Sequence, residues 1–261
     1  MTAAPSIFRI ALPERESTLF SRPVIGTPKS RMIDDPPLLT IRRNIERPER
    51  SLVEAFAGTP TGFIVDAMEG RGALDRAIKP LPGTPARFVG TALPCLNGPA
   101  DNLALAAAVA VCAPGDVLVA ATDGFNGCSV VGDLLLGIAK NRGAVGFVTD
   151  GLLRDLTDIQ ALGFPAFAAG VSPNSPARNG PGTVGLPVVC GGLPVGAGDI
   201  VIGDPDGVVI VPRAEIAAVL TRLAAVRASE AKMLRAVQGG LKEPGFMTAI
   251  LASDRVRYID E

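Results

Sequence analysis

Three charged side chains with clear chemical potential interrupt an otherwise apolar stretch of the sequence: Asp133, Arg154 and Asp155. Carboxylates can hold a hard cation, and a guanidinium can form paired hydrogen bonds with a substrate carboxylate. The chain contains no histidine, which excludes Ser-His-Asp and Cys-His catalysis and every histidine-ligated metal site. Acid-base or metal chemistry must therefore use carboxylates, Lys, Arg, the single Tyr258 or water.

The local pattern places Asp133 in the first turn of a helix. The segment "GDLLLGIAKNRG", residues 132–143, predicts a helix that stops at Gly143. Its apolar face consists of Leu134, Leu135, Ile138 and Ala139. The backbone N–H groups from Gly132 to Leu134 would be free to bind a carboxylate or phosphate. The plainer alternative is that Asp133 only complements the helix dipole.

Arg154 and Asp155 follow the apolar run "AVGFV" and precede a short helix. We expect that helix to start at a capping box formed by residues 157–160. Arg154 and Asp155 would then lie in a loop past the carboxyl end of a buried strand, where open α/β sheets bind ligands. The alternative is a surface ion pair. Because the chain lacks His and paired Cys ligands, oxygen ligation favours Mg²⁺ or Mn²⁺ over Zn²⁺.

The chain divides by composition into three parts. Residues 1–48 are rich in Pro and Arg, and we interpret them as an extended N-terminal arm, either a flexible tail or an arm around a neighbouring subunit. Residues 49–240 predict one α/β domain, and residues 241–261 a C-terminal tail. Within the domain, "GDVLVAATDG", "GAVGFVTDG" and "GDIVIGDPDG" are typical of strands that are covered on both faces. An amphipathic helix is predicted from about Ala214.

Composition also excludes several classes of partner. The net charge is -1 and the pI about 5.7, so we expect no nucleic-acid partner. The longest apolar run, residues 103–113, is too short to span a bilayer, so we expect no membrane partner. The four cysteines form no C-x-x-C pair and are expected to be reduced and buried. With no evident secretory or transit signal, the expected location is cytoplasmic.

One long motif is specific enough to suggest a family. The chain has G-D-L-L at residues 132–135 and D-G-x-x-R-D at residues 150–155. This pattern resembles the family that joins divalent-metal-dependent 4-hydroxy-4-methyl-2-oxoglutarate/4-carboxy-4-hydroxy-2-oxoadipate aldolases with RraA-type regulators of ribonuclease E. The resemblance continues through "PGTVGLPVVCGGLPVGAGDIVIGDPDGVVIVP" and back to "DNLALAAAVAVCAPGDVLVA", and so covers most of residues 52–238.

The resemblance implies an α-β-β-α sandwich of the swivelling-domain type, assembled as a homotrimer or dimer of trimers with active sites between subunits. It implies that Asp155 ligates Mg²⁺ or Mn²⁺ and that Arg154 binds the pyruvyl group of a 2-oxo acid substrate. Gly132, Asp133 and Leu134 would bind the substrate carboxylate through their backbone, and the Asp133 side chain would hold a water. A glutamate from the adjacent subunit would complete the outer shell, with Glu230 as the candidate.

Three activities are compatible with this family. The first is cleavage of a 4-hydroxy-2-oxo acid to pyruvate and a second oxo acid, with oxaloacetate decarboxylation as a side activity. The second is non-catalytic regulation of ribonuclease E by protein contact, and the third is dedicated oxo-acid decarboxylation. The regulators typically lack the aspartate at the position of Asp155, so its presence beside Arg154 favours an enzyme.

Overall fold

A computed structural model describes residues 35–259 of the chain. Everything below concerns the unit that residues 37–261 form. Most of the predicted N-terminal arm, residues 1–34, lies outside the described residues. None of the described helices is long and apolar enough to cross a membrane.

Helices and strands alternate along the described part of the chain. The helices are α1 (Arg50–Glu54), α2 (Thr61–Ala67), α3 (Leu103–Val111), α4 (Asp133–Asn141), α5 (Leu156–Leu162), α6 (Ile216–Gln238) and α7 (Met247–Leu251). The strands are β1 (Leu39–Ile41), β2 (Lys79–Pro80), β3 (Phe88–Leu96), β4 (Asp116–Ala121), β5 (Ser129–Val131), β6 (Gly146–Thr149), β7 (Leu152–Leu153), β8 (Ala166–Ala168), β9 (Gly170–Val171), β10 (Gly182–Val184), β11 (Val188–Cys190), β12 (Leu193–Val195), β13 (Ile200–Asp204) and β14 (Gly207–Val211).

A nine-stranded mixed sheet forms the centre of the fold. Its path runs β1-β10-β3-β4-β6-β8-β2, and the β13–β14 hairpin joins it through β3. The four strands β3, β4, β6 and β8 are parallel to one another. The structure therefore confirms a mixed α/β domain, while the more specific α-β-β-α layering stays a prediction.

The central strand β4 is buried along its whole length. Leu118 and Ala120 belong to the apolar cluster on one face of the sheet, and Val117 and Val119 to the cluster on the other. This confirms the prediction from its unbroken apolar sequence, since a strand covered on both faces has no position where a polar side chain can reach water. A third cluster packs the hairpin against α2 and the first half of α6.

All four cysteines are free and buried, as predicted. Burial raises the pKa of the Cys95 thiol to about 12, and burial also raises the pKa of Cys190. Both thiols are therefore protonated and shielded at neutral pH, and reactive-thiol chemistry is not a role for them.

The predicted start of helix α5 was wrong in detail. Helix α5 begins at Leu156, one residue before the predicted capping box, because Asp155 takes the N-cap position with left-handed backbone angles. Asp158 consequently lies in its first turn and is not a cap. Asp150 stabilises the turn that follows β4, since its carboxylate accepts hydrogen bonds from the backbone N–H groups of Thr122 and Gly124.

Helix α6 is amphipathic, but only its first part packs on the domain. Ile216, Val219 and Leu223 are buried, whereas Met233 and Val237 are about half exposed. The reason is length: 23 residues of helix extend about 35 Å, far beyond the short α2 against which α6 packs. The apolar positions near its C-terminal end therefore lack a partner among the described residues of the chain.

An ion pair ties the segment before α1 to the central sheet. Arg47 donates two hydrogen bonds of 2.7 Å to the Asp116 carboxylate at the start of β4. The Asp116 side chain is 1% exposed, and these hydrogen bonds raise the pKa of the Arg47 guanidinium. Removing the arginine would leave a buried carboxylate with one remaining donor among residues 35–259, the backbone N–H of Ala113.

We predict that Arg47→Met lowers the free energy of unfolding by about 2 kcal/mol, because an unpaired buried carboxylate loses its compensating donors. The measurement is urea denaturation followed by circular dichroism. Arg50→Met is the control, since its partner Glu54 is exposed and such surface pairs contribute little. Equal effects of the two substitutions would contradict the prediction.

Candidate functional site

Two short parallel strands bring the predicted site residues together. Strand β5 pairs in parallel with β7, so that Val131 lies opposite Leu153. The backbone N–H of Arg154 donates to the carbonyl of Val131 at 3.1 Å. Because both strands end at this level, the first turn of α4 and the pair Arg154–Asp155 emerge side by side. The strand directly before Arg154 is thus β7, and not the buried strand β6 that the sequence suggested.

Asp155 has a backbone conformation that aims its side chain away from its own helix. Its angles are φ 60° and ψ 42°, in the left-handed region that Asp and Asn tolerate better than most residues. Although Asp155 is the N-cap of α5, its carboxylate makes no capping hydrogen bond. The carboxylate is therefore available to a ligand, a cation or Arg154.

Gly132 is the point at which the helix start and the carboxylate meet. A Cβ atom at this position would lie 2.2 Å from Oδ2 of Asp155, closer than any side chain allows. The backbone angles of Gly132, φ -126° and ψ -174°, are open to any residue. A side chain here would therefore force the Asp155 carboxylate to move, so glycine permits its close approach, and the backbone conformation does not require glycine.

Arg154 is held by two neighbours. Its Nε donates to Oδ2 of Asp155 at 3.1 Å, and its Nη1 donates to Oγ of Ser175. The side chains of Arg154 and Asp155 are each 35% exposed, so both remain accessible to a ligand. The guanidinium therefore lies between a carboxylate and a hydroxyl, with nitrogen donors left over.

These residues line a cleft of about 690 Å³. Its lining residues are Asn102, Ala106, Val131, Gly132, Asp133, Leu134, Leu135, Ile138, Arg154, Asp155, Ser175, Pro176 and Arg178. Its volume is typical of small-molecule sites, which measure about 300–1,000 Å³. The structure therefore places Asp133, Arg154, Asp155 and the predicted backbone groups in one cavity.

The first turn of α4 faces this cleft. No side chain caps the helix, so its first amide groups have no partner within the helix. The Asp133 carboxylate has no hydrogen-bond or ion-pair partner among residues 35–259, although its backbone belongs to the helix. Leu134 and Ile138 are 79% and 51% exposed, and both line the cleft together with Leu135. The predicted apolar face is therefore only partly correct, since Ala139 is buried and the other buried residue of α4 is Leu136.

The sequence analysis missed the third wall of the cleft. Strand β9 pairs in parallel with β7, and the loop after it carries Ser175 and Arg178 into the cleft. This loop, residues 172–181, has the composition of an ordinary turn-rich connection, "SPNSPARNGP". The only signal that could have found it is that it follows a strand neighbouring β7, and β9 has just two residues.

Asn102 is a further missed residue. It is 4% exposed, and its Nδ2 donates to the carbonyl of Val130 at 2.9 Å. That bond fixes the orientation of the amide, since a carbonyl can only accept. Oδ1 of Asn102 is then left as a buried acceptor without a donor among the described residues. Such an atom is costly and typically marks a place where a water or ligand contributes.

Glu230 does not reach the cleft of its own chain. It lies exposed on α6, outside the lining residues. The suggestion that it completes the site of an adjacent subunit stays a prediction.

The donor set fits a cation that needs few protein ligands. Among residues 35–259, no group of three or more His, Cys, Asp or Glu side chains could hold a metal. The cleft offers the carboxylates of Asp155 and Asp133, both hard oxygen donors. Mg²⁺ is usually held by one or two carboxylates together with waters and the substrate, whereas a structural zinc site needs four protein ligands. The chemistry of the cleft therefore suits Mg²⁺ or Mn²⁺.

Fold and cleft together define a class of mixed α/β proteins with an oxygen-donor site at a helix start. The sequence profile of the RraA-like family, described as Aldolase/RraA, matches residues 61–210. The chain belongs to the RraA-like family, which confirms the resemblance drawn from its motifs.

Individual relatives carry names from both branches of this family. A protein of Halalkalibacterium halodurans named "Putative 4-hydroxy-4-methyl-2-oxoglutarate aldolase" is 37% identical over 144 residues, which cover 55% of this chain and 68% of the relative. Streptomyces coelicolor RraAS2, described as an unusual member of the RNase ES inhibitor RraA protein family, has 26% identity and a TM-score of 0.63, over 74% of this chain and 100% of its own. The RNA-processing inhibitor RraA from Thermus thermophilis has 25% identity and a TM-score of 0.54, over 59% and 93%.

We predict that Gly132→Ala weakens Mn²⁺ binding at least about tenfold, because the new methyl group displaces the Asp155 carboxylate, and disturbed orientation of a ligand typically costs 10–100-fold. Affinity is measured by electron paramagnetic resonance of free Mn²⁺. Gly137→Ala in α4 is the matched control, since its Cβ would meet no atom closer than Cδ1 of Leu162, at 3.9 Å. Unchanged Mn²⁺ affinity in Gly132→Ala would refute this account of Gly132.

Proposed function

We propose that this protein is a divalent-metal-dependent aldolase, a carbon-carbon lyase that cleaves a 4-hydroxy-2-oxo acid of the 4-hydroxy-4-methyl-2-oxoglutarate type to pyruvate and a second oxo acid. The observation that carries the proposal is the meeting of Asp155, Arg154 and the uncapped start of α4 in one cleft. The names of the aldolase-like relatives support the same activity.

Each of these groups has a distinct task in the proposed reaction. The amide groups of the first turn of α4 bind the substrate carboxylate, as helix N-termini bind anions. Arg154 donates to the 2-oxo oxygen, where negative charge develops as the enolate forms. Asp155 would hold Mg²⁺ or Mn²⁺ through its carboxylate, and the Asp133 side chain would hold a water. When bound, the cation supplies Lewis-acid polarisation of the 2-oxo group.

Asp133 has the proton-handling role. Its free carboxylate accepts a hydrogen bond from a water, and this water passes the proton of the substrate 4-hydroxyl group on to the Asp133 carboxylate. The bond between C3 and C4 then breaks, its electron pair passes into the pyruvate enolate, and C4 becomes the carbonyl carbon of the second product. The proton held by Asp133 returns through the water to C3 of the enolate, which gives pyruvate. Decarboxylation of oxaloacetate leaves the same enolate and is the expected side activity.

The apolar rim of the cleft supports an assembly in which a second subunit closes the site. Leu134 and Ile138 are exposed beside Asp133, where water would compete with every hydrogen bond to the substrate.

We extend the proposal to a homotrimer or dimer of trimers, α-β-β-α in architecture, in which Glu230 of one copy approaches the cleft of the next. Its partners are small 2-oxo acids and further copies of itself in the cytoplasm, without nucleic acid or membrane.

A second candidate function is inhibition of an RNA-processing enzyme by protein contact. It is favoured by the names of the structural relatives from Streptomyces coelicolor and Thermus thermophilis. It needs neither Asp155 nor a cation. Ribonuclease E assays with the wild-type protein and Asp155→Asn separate the two, since inhibition that survives the substitution would support this candidate.

We predict that the protein with Mg²⁺ or Mn²⁺ accelerates exchange of the pyruvate methyl protons in deuterated water, because enolisation is half of the proposed reaction. Proton nuclear magnetic resonance measures loss of the methyl signal, with chelator as the metal-free comparison. Exchange no faster than background in the presence of metal would exclude the aldolase function.

The same experiment tests Asp155 separately. Asp155→Asn keeps a residue that tolerates the left-handed backbone and removes the charge, so we expect exchange to fall at least about a hundredfold without loss of folding. Asp158→Asn, three residues further in α5 and outside the cleft, is the charge-matched control and should retain full exchange. Equal exchange in both variants would show that the activity belongs to another site.

A further inference from the structure

A second hollow of the surface, separate from the cleft, is lined by three arginines. Its volume is about 460 Å³, and it is formed by residues 42–46 together with Ala197 and Arg213. None of these residues lines the cleft, and the proposed reaction uses none of them. We call this feature the arginine hollow, after Arg42, Arg43 and Arg213.

The positive charges of the arginine hollow are only partly neutralised. Arg213 donates from Nη1 to the Glu46 carboxylate, and this hydrogen bond lowers the pKa of Glu46. The guanidinium groups of Arg42 and Arg43 have no hydrogen-bond or ion-pair partner among residues 35–259. Three positive charges and one negative charge therefore leave the lining with a surplus of two positive charges.

The segment of residues 42–47 is held in place at three points. The backbone N–H of Arg42 donates to the carbonyl of Val184 at 2.9 Å. Ile45 packs against the apolar cluster on one face of the large sheet. Arg47 forms the ion pair with the buried carboxylate at the start of β4. The arginines of this segment are thus carried on a fixed backbone.

The second wall of the arginine hollow is fixed as well. The Asp199 carboxylate accepts hydrogen bonds from the backbone N–H groups of Gly196 and Arg213, at 2.7 and 2.9 Å. Gly198 lets the two walls approach each other, since a Cβ atom at this position would overlap the carbonyl oxygen of Glu46. The hollow is therefore preformed, and a ligand has to order only the arginine side chains.

Such an arrangement favours the binding of an anion. Like charges around one hollow repel each other, and an anion between them removes that repulsion. A carboxylate carries one negative charge and neutralises half of the surplus, whereas a phosphoryl dianion neutralises all of it. Guanidinium groups also suit phosphoryl oxygens, to which they donate paired hydrogen bonds.

We propose that the arginine hollow is a binding site for a phosphoryl dianion. The ligand is either inorganic phosphate or the phosphate group of a phosphorylated small molecule, and the volume of the hollow is in the range of small-molecule sites. The inference is independent of the proposed aldolase function, because it concerns other residues and needs no metal.

The test is isothermal titration calorimetry with three probes: inorganic phosphate, ribose 5-phosphate and acetate. Chelator is present throughout, and at about pH 8 phosphoryl groups are mostly dianions because their second pKa is about 6. We expect the wild-type protein to bind both phosphates with dissociation constants of about 1 mM or lower. Acetate should bind at least about tenfold more weakly, since it brings one charge instead of two.

The two phosphates distinguish the sources of the ligand. Tighter binding of ribose 5-phosphate would support a phosphorylated small molecule, and equal affinity would support inorganic phosphate. A wild-type protein that binds neither, or that binds acetate as tightly as phosphate, would overturn the inference.

The double variant Arg42→Gln/Arg43→Gln should weaken phosphate binding at least about tenfold, because it removes two charged donors. Arg87→Gln/Arg255→Gln is the charge-matched control, since both arginines are exposed and lie outside the arginine hollow and the cleft. This control should bind phosphate as the wild-type protein does. Equal losses in the two double variants would show general attraction to positive charge and would overturn the inference.

Glu46→Gln gives a result that misfolding cannot imitate. It removes the negative charge of the arginine hollow and releases Arg213, so phosphate binding should become about two- to fivefold tighter, as expected for an exposed charge. Weaker binding in this variant would contradict the proposed site.

Arg154→Gln separates the arginine hollow from the cleft. Phosphate binding that this variant retains and that Arg42→Gln/Arg43→Gln loses supports the inference. The opposite pattern would place the anion in the cleft and overturn the inference, without bearing on the aldolase function.

Discussion

The close approach of Gly132 to Asp155 is the constraint on which the candidate site depends. The carboxylate occupies the space where any other residue at position 132 would place its Cβ atom. This contact exists because β5 and β7 pair in parallel and end together, and the hydrogen bond from Arg154 to Val131 fixes their relative level. A shift of one residue in that pairing would move each of the side chains of Arg154 and Asp155 to the face opposite the one it occupies now.

The rest of the fold secures this small three-stranded sheet. The large sheet supplies a rigid base that is buried on both faces, and Asp150 links the ends of β4 and β6 just before β7 begins. On the other side, β9 continues into the loop that Asp101 anchors. The charged residues of the cleft are thus carried on elements whose positions are set by backbone hydrogen bonds, which suits a site that must hold its groups in fixed geometry.

The sequence was informative where residue type and spacing carry the signal. The motif with Asp133, Arg154 and Asp155 identified the family and the residues that meet in the cleft, and unbroken apolar runs predicted the buried strands. The sequence could not reveal β7 and β9, because strands of two residues have no periodicity to detect. For the same reason nothing in the sequence indicated that Arg178, in the loop after β9, lines the cleft. Periodicity also could not tell whether the apolar face of α4 lies on the core or on a cleft, since both require the same pattern.

The central claim is that Asp155, Arg154 and the start of α4 form one site for a cation and a 2-oxo acid. The most direct measurement is a crystal structure with Mn²⁺ and oxalate, a planar analogue of the pyruvate enolate, using anomalous scattering to locate the metal. The account predicts Mn²⁺ in direct contact with the Asp155 carboxylate, and oxalate bound by Arg154 and the first amide groups of α4. Mn²⁺ and oxalate bound elsewhere, with Asp155 paired only to Arg154, would contradict it.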